Sequence, residues 1–189
     1  MAAIEYDEAM TGQDASQDDA ERQRRSRALA SPLRLRILRL CLHEARTNKE
    51  LADELGVNPG TLLHHVRALV STGFLAPGEP RRGVRGSREI PYLATRRSWD
   101  TEMPGGSGIL VQTFLDEIEG LPPDDLQIMR LGLKLNTATR DEMLGRIYAL
   151  FEEYKDRPAD PDGVPLSLLF AEHPERSRAE RGLGATPPK

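Results

Sequence analysis

The chain has one cysteine in 189 residues, which excludes an intramolecular disulfide. Cys41 lies among Leu38, Leu40 and Leu42, so a buried thiol is expected rather than a redox sensor. No run approaches the roughly 20 consecutive apolar residues that span a bilayer. The acidic start has the wrong sign for a secretory leader, and the expectation is a cytoplasmic protein without membrane contact. A glycine-rich phosphate loop after a strand, a nucleophile motif and a recognisable set of metal ligands are all lacking, so no catalysis, cofactor or metal is expected. His64 and His65 are adjacent, but helix neighbours point about 100° apart and do not comfortably share an ion.

Excess positive charge is also missing from the whole, whose formal net charge is -4. Its distribution tells more. Residues 22–97 hold 16 Lys and Arg against 6 Asp and Glu, a net of +10, while residues 1–21 and 98–189 each carry -7. A basic segment between acidic neighbours fits a phosphate-binding surface.

Within the basic segment, Asn48 to Leu75 reads as helix, turn, helix. Leu51, Ala52 and Leu55 share one face of the first helix, and Gly56 supplies the turn. Asn58 is placed to cap the second helix, with Pro59 in the first position, where the missing N–H costs nothing. Leu62, Val66 and Leu69 then form a stripe for packing, with His65 at its edge as a packed, hydrogen-bonded histidine. Asn58, Gly60, Thr61, Leu63, His64 and Arg67 stand nearest to base edges and phosphates if this helix enters a major groove.

After Gly73-Phe74-Leu75 comes PGEPRRGVRGSRE and a second strand, Ile90 to Leu93, which reads as a hairpin with a basic tip. Arg81, Arg82, Arg85 and Arg88, spaced by Gly83 and Gly86, form a flexible, permanently charged loop suited to phosphates or a narrow minor groove. Helix-turn-helix plus hairpin is a winged helix.

The stretch from Ala28 to Glu79 resembles the winged-helix domain of ArsR-type bacterial transcriptional regulators. Three pieces carry the likeness: Leu29–Leu38 (LASPLRLRIL), Asn48–Gly56 (NKELADELG) and Thr61–Leu75 (TLLHHVRALVSTGFL). The resemblance implies a homodimer that binds a roughly palindromic operator on double-stranded DNA and blocks or modulates transcription. Metal-sensing members place a Cys-x-Cys pair in the first helix of the motif. Here Lys49 to Asp53 and Glu54 contain no thiol, so that site is absent. The competing reading is a winged helix used as a protein-interaction module, its arginines meeting an acidic partner. The small, polar start of the second helix favours DNA.

The expected fold class is α+β. Residues 1–19 are expected to be a disordered acidic tail, with a helix from about Asp18 to Ala30. A mainly helical winged helix-turn-helix domain occupies 20–99, including a helix Leu33 to His43 that is apolar on two sides, and a linker fills 100–106. Trp99 is read as an anchor of the junction. Residues 107–172 read as helix, strand, helix, strand: Ile109 to Leu121 with Leu110, Phe114 and Ile118 on one side, then Met129 to Asn136, then a helix capped by Thr139 with Met143, Ile147, Leu150 and Tyr154 buried, then a strand through Leu166, Leu168 and Phe170. Two strands leave apolar surface uncovered, so this module is expected to dimerise, in preference to binding a small-molecule effector. The tail from 173 to 189 is polar and expected to be loose.

Overall fold

The computed structural model describes residues 5–83, 86–103 and 105–174, with side chains from residue 17 onward. In chain order the elements are α1 (Glu5–Leu29), α2 (Pro32–Leu40), β1 (Arg46–Thr47), α3 (Asn48–Leu55), α4 (Pro59–Ser71), β2 (Leu75–Pro77), β3 (Arg81–Arg82), β4 (Arg88–Glu89), β5 (Pro91–Ala94), α5 (Gly106–Ile118), a short 3-10 turn (Pro123–Asp125) and α6 (Thr137–Asp156).

The core sits where α2, α3 and α4 converge. Leu62, Val66 and Leu69, spaced for one face of α4, are fully buried against Ile37 and Leu38 of α2 and Leu51 and Ala52 of α3. Phe74 and Leu75 close the cluster from the start of β2, and Ala28 and Leu29 from the end of α1. Burying an aliphatic side chain of this size stabilises by about 1.5–3 kcal/mol, so this stripe holds α4 in place.

Helix α1 extends back to Glu5, well before the expected start near Asp18. Its acidic residues lie toward the N-terminal end and Arg22, Arg24, Arg25 and Arg27 toward the C-terminal end, the order the helix dipole favours. Asp19 pairs with Arg22 at 2.9 Å, and Glu21 pairs with Arg25 one turn on. Helix α2 stops at Leu40 rather than His43. The Cys41 carbonyl, which a continuing helix would use internally, instead accepts from the Ala94 amide of β5 at 2.8 Å.

Three strands form an antiparallel sheet in the order β1-β5-β2, with Leu75 opposite Ala94 and Thr47 opposite Pro91. Strand β1 is not visible in the sequence pattern. It joins the start of α3 to the strand that returns from the wing. Strands β3 and β4 pair separately as the wing hairpin, with Arg81 opposite Glu89 and Arg82 opposite Arg88.

Beyond the wing, α5 packs on α2 and α6 follows, but the two expected strands do not form. No strand lies beyond Ala94 among the described residues. The α+β class therefore comes from the sheets of the winged domain. Alternation makes a segment ready for a sheet without supplying one, and a strand with no neighbour has nothing to bond. On helix α5 the expected Phe114 and Ile118 are half-buried, but the fully buried positions are others. Gly106 and Thr113 are buried and Glu117 reaches Arg39 of α2 at 3.2 Å, while Leu110 stays exposed. Helix α6 is capped by Asn136, whose side chain accepts from the Thr139 amide at 2.9 Å, so Thr139 lies inside the first turn. Leu144 is buried, Met143 and Ile147 are half-buried, and Leu150 and Tyr154, expected inside, are exposed. Trp99 is half-exposed and is no buried anchor. No helix among the described residues is long and apolar enough to cross a membrane.

Candidate nucleic-acid interface

The site begins with the turn between α3 and α4. Gly56 ends α3 in the left-handed conformation (φ 63°), which glycine adopts without the Cβ penalty, and the Val57 amide bonds back to the Ala52 carbonyl at 3.0 Å. Two residues on, the Asn58 side-chain oxygen accepts from the Gly60 amide at 2.8 Å and the Thr61 amide at 3.4 Å, and Pro59 occupies the first helical position. The Asn48 side chain donates to the Pro59 carbonyl at 3.0 Å, fastening the start of α3 to the start of α4. Local chemistry thus fixes the angle at which α4 leaves the turn.

Opposite the buried stripe of α4 lies its free face. Gly60, Thr61, His64 and Arg67 are exposed there, Asn58 is exposed at the cap, and Leu63 is half-buried. The structure brings these six together on the first turns of one helix. His65 borders the core as expected, but its Nδ1 is buried without a hydrogen-bond partner, so the expected hydrogen-bonded histidine is corrected on that point. Burial lowers its pKa, helped by the positive charge of Arg34 and by His64.

The wing is a hairpin, as expected, with β3 and β4 paired antiparallel. The Gly83 amide donates to the Ser87 carbonyl at 2.8 Å, and Gly86 turns the tip with φ 78°. Arg81, Arg82 and Arg88 are exposed and line one cleft together with Pro80, Gly86 and Ser87. Arg85 lies outside the described residues.

The three arginines are not equivalent. The guanidinium of Arg81 is ion-paired with the Glu50 carboxylate of α3. Glu50 also accepts from the Thr47 amide at 2.8 Å while the Thr47 hydroxyl accepts from the Glu50 amide at 3.2 Å, completing a capping box. The Thr47 amide hydrogen bond, followed by the Thr47 hydroxyl and the charges of Arg81 and Arg46, holds the Glu50 carboxyl below its ordinary pKa against a smaller desolvation effect. Among the described residues, no carboxylate is paired in this way with Arg82 or Arg88.

Sequence reasoning missed Thr47 and Glu50. The signal was present, since Thr-Asn-Lys-Glu has capping-box spacing. Cys41 is fully buried and its thiol is pushed up to about 11 by desolvation, outweighing the backbone hydrogen bond and charge of Arg46, so it is a core residue and not a reactive one. Among the described residues, no group of three His, Cys, Asp or Glu side chains is placed to hold a metal ion.

Comparison with known families agrees with the fold, since residues 29–77 match a family described as a helix-turn-helix domain. No curated protein matches the chain. Among solved structures it is similar to reduced HlyU from Vibrio cholerae, at 17% identity over 58% of this chain and 99% of that one, with a TM-score of 0.34. It is also similar to the transcriptional regulator BldR from Sulfolobus solfataricus, at 15% identity over 79% of this chain and 99% of that one, TM-score 0.34. A MarR-family transcriptional regulator from Rhodococcus aligns at 12% identity over 82% of this chain and 97% of that one, TM-score 0.32.

Proposed function

We propose that this protein is a sequence-specific, DNA-binding transcriptional regulator of the ArsR type, acting as a homodimer on a palindromic operator and repressing transcription. Helix α4 enters the major groove, where Arg67, His64, Thr61 and Asn58 reach base edges or phosphates, and the small Gly60 lets the backbone come close. The wing lies alongside, with Arg82, Arg85 and Arg88 against the phosphate backbone or in the adjacent minor groove.

One observation carries this reading. The same helix that buries Leu62, Val66 and Leu69 presents Thr61, His64 and Arg67 to solvent on its opposite face, beside a wing on which Arg82 and Arg88 face each other. A protein-interaction surface of ordinary kind has an apolar centre, and this face offers none. The net charge of +10 over residues 22–97 adds the attraction that DNA binding needs.

The test is selection of bound sequences from a random double-stranded library with the purified full chain. A palindromic consensus with half-sites about one helical turn apart supports class, symmetry and spacing together. Enrichment of no sequence, with salt-sensitive retention of an acidic protein instead, would favour the interaction-module reading.

A further inference from the structure

Residues 127–135 are bare on two counts. Ile128, Met129 and Leu131 are 76, 99 and 78% exposed. None of the backbone amides or carbonyls of these residues bonds to another backbone group among the described residues. Met129, Leu131, Leu133 and Leu135 alternate with Arg130, Gly132 and Lys134, the period of a strand with one apolar face. Water can satisfy the backbone but not the leucines. Leu150 and Tyr154 of α6 and Val164, Leu166 and Leu168 are also more than half exposed.

We propose that a second copy of this chain covers this surface, the two copies pairing residues 130–136 antiparallel about a two-fold axis at Leu133. The inference deepens the dimeric part of the function proposed above and rests on it. The segment is complementary to itself. Centred on Leu133, the pairing sets Leu131 opposite Leu135 and Leu133 opposite its own copy, so the apolar face is continuous. Arg130 then meets Asn136 and Lys134 meets Gly132, and no like charges stand opposed. Centring the pair on Gly132 instead would set Arg130 against Lys134, which disfavours that register.

A stable interface takes about 20–30 residues a side, so the strand alone is too short, and the exposed apolar residues of α6 and of the segment from Val164 to Leu169 are available to extend it. A two-fold pair uses this one patch twice and closes, whereas a head-to-tail arrangement would leave it open to further addition. Pairing also gives the expected second-domain strand the neighbour that it lacks among the described residues.

The full chain carrying Leu133→Cys tests the axis. Cys41 is buried with a raised pKa, which leaves position 133 as the reactive thiol. Under mild oxidation at micromolar concentration this variant is expected to form an interchain disulfide, while Glu54→Cys, exposed on α3, stays unlinked. Leu131→Glu, at a position already exposed in the single chain, should fold with unchanged helix content by circular dichroism and raise the dimer dissociation constant by about tenfold or more. A dimer in sedimentation that neither links through position 133 nor weakens with Leu131→Glu overturns this interface and leaves the dimeric reading standing. A wild-type chain that sediments as a monomer overturns both.

Discussion

Arg82 and Arg88 stand directly opposite each other on the two strands of the wing. Like charges across a strand pair destabilise the hairpin that carries them. The arrangement makes sense where an anion supplies the missing charge. Converting both to alanine should flatten the dependence of log affinity on log salt by about 0.9 for each phosphate the wing no longer neutralises. The free protein should be no less stable, and any change should be a gain of about 0.2–1 kcal/mol from relief of repulsion. DNA titrations at several salt concentrations, with urea unfolding of the same variants, read both effects. An unchanged slope would take the wing off the backbone.

On α4 the two faces should separate cleanly. Arg67→Ala and His64→Ala are each expected to weaken binding to the selected operator by about 1–3 kcal/mol where the side chain reads a base edge, with thermal stability retained. Leu62→Ala or Leu69→Ala should cost roughly 2–5 kcal/mol of stability, because each empties space in the core. Wild-type operator affinity in folded Arg67→Ala and His64→Ala proteins would remove both from the reading face.

Glu50→Gln separates the cap from the ion pair. A glutamine still accepts from the Thr47 amide, so the α3 start should survive, with at most about 1 kcal/mol lost for an exposed pair. Arg81 is then free, and the salt dependence of DNA binding should steepen by up to about 0.9. Because the folded Glu50 carboxyl titrates below its ordinary value, the stability it confers is complete above about pH 4.3 and is lost as pH falls through the lower folded value. The variant should lack that acid-limb loss in urea titrations from pH 6 down to about pH 3.

His65 predicts a second pH effect near neutrality. Its folded pKa is lowered, so the neutral ring is the form the core accepts. Stability tied to this group is full above the free-histidine value of about 6.5 and falls as pH drops through the lower folded value. The facing charges, Arg34 from α2 and His64 beside it, act in the same direction. His65→Leu should reduce the difference between denaturant midpoints at about pH 7.5 and about pH 5.5 relative to wild type. An equal difference in both proteins would place the pH sensitivity elsewhere.

Much of the winged domain can be read in the sequence because the signals are local. The stripe Leu62, Val66 and Leu69 has helical spacing, and the Asn58-Pro59 start and the Gly56 turn each act within four residues. What escapes depends on partners far along the chain. Strand β1 is two residues long, too short for any period, and exists because β5 lies beside it. The pairing of Glu50 with Arg81 spans 31 positions, and neither residue announces the other. Helix α6 starts earlier than expected because the Asn136 side chain takes the cap by accepting from the Thr139 amide, and the sequence offers both residues as competent caps. In the second half the alternation from Met129 to Leu135 is legible, but a strand needs a neighbour, and none lies beside it among the described residues.

The register of β1 with β5 bears on how such a protein is switched. Thr47 pairs with Pro91 in the sheet and caps α3 in the same residue, while Glu50 holds Arg81 from the next turn. The recognition unit is therefore tied to the strand that returns from the wing by a short ladder, and to the wing hairpin by an exposed ion pair. Bending α3 away from the sheet must break a ladder and a cap together, because Thr47 belongs to both. In the homodimer proposed above, a signal would act more cheaply on the distance and tilt between the two copies than on this joint, and the spacing of half-sites is where that control would be read.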